Sequence, residues 1–415
     1  LTASGNWQKI GLPQLAWHGP RELELTLPAR WRVDYFPMAG SDRPALGSAD
    51  VVRALEHPIG VAPLREVARD KREVVVLVDD LTRVTRAAQV VPHVLQELAL
   101  AGVPEEGIRF VVALGCHGAL DRLGMVKKLG EDVVARYPVF NHNPFAGCVE
   151  VGKTSSGLVL EVNGEVMACD LKIGIGAVTP HAMTGFGGGG KIILPGVSSL
   201  RTATDFHRRE REVSGGQLGR FTGITENNPM FQDITEAARL AGLDFKIDCL
   251  VNTWGDIAAL YAGEPVAAHS VAVADARRHY WTPRAREYDL AIANTYAKAS
   301  EAVTGLWLAY QAVKQGGEVV LIVNAPEGQA VHYLMGPFGR RSSGELPLRV
   351  SVPPGVQRLI VFTEYPEAAS RSYFAPDERV VFATRWDEVL SLLAARFGEG
   401  TRVAVYPNAD IQYCA

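Results

Sequence analysis

Cysteine is scarce: five in 415 residues, at positions 116, 148, 169, 249 and 414. None has C-x-x-C spacing, which argues against a disulfide framework and a cysteine-rich zinc site and fits a reducing cytoplasm. Charge of one sign is missing too. The 42 basic and 46 acidic residues leave a formal net charge of −4, too small to attract nucleic acid or a membrane surface in bulk. No apolar run approaches the ~18 residues of a membrane span, and the opening LTASGNWQKI has neither the basic nor the apolar region of a signal peptide. Internal repeats, low-complexity tracts and the H-E-x-x-H zinc pattern are absent. Small molecules are therefore the expected partners and the cytoplasm the expected location.

What is present is ordinary globular composition, 47% hydrophobic and 21% charged, in a chain long enough for two cores. REVVVLVDD (72–80) is a buried-strand run ending in carboxylates, VVPHVLQELALAG has helical periodicity with a glycine stop, and IRFVVALGCH (108–117) is a second strand ending in a polar tip. This grammar predicts an open parallel α/β sheet with ligands beyond the strand tips. Between Cys148 and Ile175 the alternation and the Asn163-Gly164 pair predict a β-hairpin layer. DLKIGIGAVTPH delivers His181 at a strand end, helices are expected near 201–211 and 229–241, and FKIDCLVNTW is a further strand. After a charged, helix-like connector at 271–283 the grammar restarts with YDLAIANTY and continues to TRVAVYPNA. The expected fold class is α/β: two α/β domains with mainly parallel Rossmann-like sheets, over 1–270 and 284–415, with the active site in the interdomain cleft. The loop 326–348 is either a lid or an irregular surface excursion.

The stretch GFGGGGKIILPG (185–196) satisfies the G-x-x-x-x-G-K spacing of a phosphate loop. Ile192 stands where such a loop needs Ser or Thr for Mg²⁺, and Ile192–Pro195 reads as a short extended piece and a turn rather than the start of a helix. A standard ATPase or kinase is thus disfavoured. Three histidines lie in apolar or glycine-rich surroundings: His117 in GCHGAL, His181 in TPHAMTG and His207 in DFHRRE. His57, His93 and His269 lie in helix-like or turn-like segments where a solvated or capping role is expected. Two imidazoles facing one substrate can exchange protons near neutral pH, and a pair can also bind a metal. His142 and Asn143 either border the site or cap a turn.

The set DDLTR (79–83), GCHG (115–118), TPHAMTGFGGGGKIILPG (179–196) and His207 resembles the lactate racemase family, the nickel-pincer-nucleotide 2-hydroxyacid racemases and epimerases, over most of the chain. The order of these segments and the gaps from His181 to Lys191 to His207 match the family pattern. The resemblance implies that Lys191 is joined through a thioamide to a pyridinium-3-thioamide-5-thiocarboxylic acid mononucleotide carrying nickel. It implies His207 as the protein ligand of the metal and His117 and His181 as alternating acid and base. Asp80, Thr82 and the run Gly187, Gly188, Gly189 and Gly190 are then expected around the cofactor, with Arg83, Tyr296 and Lys298 on the substrate. The implied reaction moves a hydroxyl proton to histidine and a hydride to the cofactor, passes through a 2-keto acid, and returns from the other face. Partners implied are a 2-hydroxy acid and the enzymes that make the pincer. The alternative is a nickel-free member binding a nucleotide or sugar acid. Best-known members carry arginine where this chain has Gly118 and Gly190, which opens the choice of hydroxy acid beyond lactate.

Overall fold

The structure is a computed structural model and describes residues 6–217, 219–334 and 349–414. The first five residues and 335–348, most of the glycine-, arginine- and serine-rich loop, lie outside the described residues. Two compact units emerge: 42–279 with 331–334, and 6–41 with 280–330 and 349–414. No described helix is long and apolar enough to cross a membrane.

In the first unit six strands form one sheet in the order Ile257–Gly263, Phe245–Val251, Leu171–Ala177, Val74–Asp79, Ile108–Ala113 and Val139–Asn141. All neighbours pair parallel except the edge strand Ile257–Gly263, which is antiparallel. The central strand VVVLVD is buried except at its end, as β-branched runs covered on both faces require. The chain steps outward from Val74–Asp79 through Ile108–Ala113 to Val139–Asn141, then returns to the other side of Val74–Asp79. Strand order therefore reverses between Val74–Asp79 and Leu171–Ala177, and the crevice beyond their C-terminal ends is where ligands of such sheets bind.

The second unit has an all-parallel sheet in the order Val380–Ala383, Val356–Phe362, Val313–Ile322, Tyr288–Asn294, Arg402–Tyr406 and Arg32–Tyr35. Its order reverses between Tyr288–Asn294 and Arg402–Tyr406. An N-terminal hairpin, Trp7–Gln14 with Arg21–Pro28, buries Leu12, Leu25 and Leu27 against this sheet's core.

Four expectations change. The units do not follow one cut at 271–283, because Arg32–Tyr35 hydrogen-bonds to Arg402–Tyr406 and carries the N-terminal segment into the later unit. The expected connector belongs to the helix Pro265–His279, whose Ala272, Val273, Ala276 and His279 are buried. The hairpin is real, Cys148–Lys153 with Val159–Asn163. Asn163-Gly164, however, is not its turn: the Asn163 side chain accepts from Glu165 and Val166 N–H and caps the helix Gly164–Ala168. Ile192–Pro195 is not extended; a short 3₁₀ turn covers Gly189–Ile192, and Ile193 and Leu194 are buried in an apolar cluster. Hydrophobic identity predicted their burial, whereas the turn follows from tertiary packing.

Candidate active site

Asp80 and Thr82 follow Val74–Asp79 directly, so the reversal of strand order places them at the crevice. The Thr82 amide donates to Asp80 Oδ1 (2.9 Å), as does its hydroxyl, closing a tight turn. A second layer fixes that turn from below. Fully buried Lys128 donates to Asp79 Oδ1 (2.7 Å), Arg83 O (2.9 Å) and Thr85 O (2.9 Å), while Asp79 Oδ2 accepts from Thr85 Oγ1 and Ala177 N. Arg83 donates to Thr82 O and Oγ1 at 3.0 and 2.8 Å.

His117 follows Ile108–Ala113 on a turn in which Gly115 N donates to Gly196 O (2.8 Å). That bond joins the histidine turn to the lysine turn. His117 Nδ1 lies 2.6 Å from Asp80 Oδ2; a carboxylate only accepts, so Nδ1 donates and Nε2 presents a lone pair. Burial by itself would raise the Asp80 carboxyl, but the His117 imidazole, followed by the Arg83 guanidinium, holds it below its ordinary value.

His181 has the opposite tautomer. Its Nδ1 accepts from Met183 N (3.2 Å) and Thr184 N (3.3 Å), so the proton of the neutral ring sits on Nε2, which lies 2.6 Å from Lys191 Nζ. The glycine run before Lys191 is tucked into the protein. A Cβ on Gly189, whose φ is +50°, would fall 2.2 Å from the His269 ring, and one on Gly190 would meet Ile234 O at 1.9 Å. Asp248, salt-bridged to fully buried Lys246 (2.6 Å), accepts from Gly189 N (3.0 Å). His269 is therefore not a solvated helix residue. It is buried, its Nε2 donates to Gly187 O (2.9 Å), and burial lowers its pKa.

His207 lies on the helix Leu200–Ser214, which Ser199 caps at its N-terminus and Gly215 ends in a left-handed conformation. Its Nδ1 donates to Ala203 O (2.6 Å), one turn back, leaving Nε2 as the lone-pair nitrogen. Burial pushes this imidazole down to about 4, so the ring is neutral at physiological pH. A neutral ring with Nδ1 bonded to a carbonyl is the form a metal-ligating histidine takes. Among the described residues no group of three His, Cys, Asp or Glu side chains is arranged to hold a metal alone.

His142 is buried; its Nε2 donates to Ser198 O (2.9 Å), and Asn163 Nδ2 lies 3.1 Å from Nδ1. Desolvation takes its pKa to about 4. It braces the segment before Ser199, while Asn143 accepts from Phe145 N in a turn. In the other unit, Tyr296 and Lys298 follow Tyr288–Asn294 at that sheet's own reversal. Both are buried, and both backbone amides donate to Asp410, whose carboxyl burial raises.

His332 escaped the sequence reading. The segment 331–334 is held on the His117 turn by Gly118 N to Val331 O (2.9 Å) and Tyr333 N to Cys116 O (2.8 Å). The His332 ring meets His117 edge-on at 5.1 Å and His207 at 6.0 Å. No local pattern announces it, because its placement depends on an apolar cluster joining Leu334 to Cys116, Leu200 and Ala203. Val331 occupies the space beside Gly118, 3.2 Å from where a Cβ would be.

The fold and this cluster define an α/β protein with a polar site at a strand-order reversal, built from one carboxylate, one lysine and four imidazoles. Residues 18–216 match the family described as the lactate racemase N-terminal domain. The lactate racemase of Lactiplantibacillus plantarum is 30% identical over 285 residues, 67% of this chain and 66%, just under two thirds, of that protein. The lactate racemase of Thermoanaerobacterium thermosaccharolyticum is 28% identical over 298 residues, 70% of this chain and 69% of that one. The apoprotein structure of a lactate racemase from T. thermosaccharolyticum superposes with a TM-score of 0.74 at 21% identity, covering 98% of this chain and all of that one. A Thermotoga maritima protein follows at TM-score 0.66 and 18% identity, covering 89% of this chain and 99% of that one. The chain thus carries a match to the lactate racemase N-terminal domain over 18–216 and is similar to lactate racemases over about two thirds of its length.

Proposed function

We propose that the protein is a racemase or epimerase of a 2-hydroxy acid, acting through a 2-keto acid with a lysine-tethered nickel-pincer nucleotide. The observation that carries this reading is the pair of opposite tautomers. His117, oriented by Asp80, offers a lone pair on Nε2, and His181 offers a proton on Nε2. Racemisation needs one group that takes the hydroxyl proton from one enantiomer and another that serves the opposite face. The ring that takes the hydroxyl proton becomes an imidazolium and returns that proton when the reaction runs in the other direction. Such a reaction is faster when both groups are already positioned, which the Lys128–Asp79 layer and the backbone donors at His181 favour.

The residues fit the cofactor. Lys191 would hold it covalently and His207 Nε2 would bind nickel; the remaining donors belong to the pincer, so no three-residue protein metal site is required. When bound, the group supplies a reversible hydride acceptor. Arg83 is suited to the substrate carboxylate, because a guanidinium can form paired hydrogen bonds to it, and Tyr296 and Lys298 are proposed as further substrate contacts. Gly187 to Gly190 admit the packing that sets the direction of Lys191. The pincer-making enzymes are the implied partners.

The test is nickel content and denatured intact mass of protein co-expressed with those enzymes, beside Lys191→Ala. Expected are nickel and an added mass that the variant lacks, with interconversion of 2-hydroxy acid enantiomers or epimers by chiral chromatography. His117→Ala should keep the added mass and lose about 10²–10⁴-fold in turnover. No nickel and no added mass, beside a control racemase that loads normally, would overturn the reading in favour of a nickel-free nucleotide- or sugar-acid-binding protein.

A further inference from the structure

The segment 331–334 brings His332 to the site in a register that its backbone fixes. Gly118 N donates to Val331 O (2.9 Å) and Tyr333 N to Cys116 O (2.8 Å), so His117 and His332 face each other across an antiparallel bridge, between two hydrogen-bonded links. Side chains of such a pair leave the same face and approach more closely than those of a hydrogen-bonded pair. Their ring centroids accordingly stand 5.1 Å apart. The next two residues are seated as well: the Tyr333 ring meets Phe145 edge-on at 4.8 Å, and Leu334 is fully buried against Cys116, Leu200 and Ala203. Leu334 N donates to His332 Nδ1 (3.1 Å), so the neutral ring carries its proton on Nε2. His117 has the reverse state, because its Nδ1 donates to Asp80 and its Nε2 bears the lone pair. A base and a donor thus stand abreast.

We infer that His117 and His332 hold the reacting oxygen of the substrate between them, His117 taking its proton and His332 donating Nε2–H to its lone pair. That this oxygen belongs to a 2-hydroxy acid rests on the function proposed above. An alcohol oxygen has one proton to give and lone pairs to receive, so one acceptor and one donor complete it. Two hydrogen bonds of about 2.8 Å meeting at a tetrahedral oxygen put their nitrogens about 4.6 Å apart, and rings separated by 5.1 Å suit that span. When the hydroxyl proton passes to His117 Nε2 and the oxygen becomes a ketone, its lone pairs remain, and His332 keeps both its own proton and its hydrogen bond. His332 therefore contacts the hydroxy acid and the 2-keto acid alike, whereas the His117 lone pair serves only the hydroxyl.

The test is the calorimetric affinity of the full chain, co-expressed with the pincer-making enzymes, for lactate, pyruvate and propionate, which carry a hydroxyl, a keto oxygen and neither. His332→Phe fills the place of the ring without a donor. It should weaken lactate and pyruvate about tenfold each, the value of one hydrogen bond, while propionate changes by less than about twofold. His332→Gln, whose amide N–H replaces the Nε2 donor, should regain most of that loss. Propionate reports any displacement of the segment, which would weaken all three acids. Equal losses for the three acids, no loss with His332→Phe, or no binding of lactate and pyruvate by the wild type overturns the inference. His332-dependent binding in a protein that gains neither nickel nor added mass supports it while refuting the racemase reading. Racemisation with nickel, added mass and binding that ignores His332 refutes the inference alone.

Discussion

At the scale of the residue, neighbours decide what each imidazole can do. Asp80 keeps the His117 proton on Nδ1. Asp80→Asn preserves shape but lets an amide present either oxygen or N–H, so the tautomer is no longer fixed. Turnover is expected to fall about 10–100-fold with nickel content and intact mass unchanged, which separates positioning from loading. His142 and His207 are both neutral in the folded protein, with values near 4 against about 6.5 when unfolded. Since the unfolded chain binds more protons between these values, stability rises with pH across the window. The contribution is complete above about pH 6.5 and is lost as pH falls toward about 4, at most about 3 kcal/mol per ring. Urea midpoints across that range should decline, and His142→Gln should make the decline shallower.

At the scale of the element, the site depends on turns held by atoms outside them. A Cβ on Gly190 would collide with Ile234 O on the helix Pro229–Leu240 at 1.9 Å, whereas one on Gly118 would meet Val331 at 3.2 Å. Gly190→Ala should therefore cost about 3 kcal/mol or more and Gly118→Ala under about 1 kcal/mol, as read by denaturant titration. A helix near 201–211 was legible in sequence from its helical pattern; in the structure it runs Leu200–Ser214, Ser199 caps it and Phe206 faces the core. The turn after Lys191 was not, since its apolar residues suit a buried strand and a buried turn alike. Lys128 was also missed: a lysine beside another lysine in a helical run reads as a solvated face. Its burial reflects three oxygens presented by the end of Val74–Asp79 and the turn that follows it. Lys128→Met leaves the Asp79 carboxylate without its cation and should cost about 3–5 kcal/mol, measured by thermal and urea unfolding.

At the scale of the whole molecule, each unit has its own sheet and core, so damage should stay local. Trp31 is buried among Leu12, Leu25, Leu290, Ile292 and Val405. Trp31→Ala should cost about 3–5 kcal/mol and accelerate amide exchange in Tyr288–Asn294 and Arg402–Tyr406. Exchange in Val74–Asp79 and Leu171–Ala177 should remain slow. Acceleration in both sheets would mean that the units unfold as one.

Sequence by itself determined the alternation of strand and helix, the parallel α/β class, and the order of the segments bearing Asp80, His117, His181, Lys191 and His207, because periodicity and residue identity are local properties. Tertiary structure decided which strand Arg32–Tyr35 joins, that His269 lies beneath the glycine run, that His332 stands beside His117 and His207, and which nitrogen of each imidazole carries its proton. Those outcomes depend on backbone donors, acceptors and packing surfaces supplied by distant parts of the chain, which no local pattern encodes.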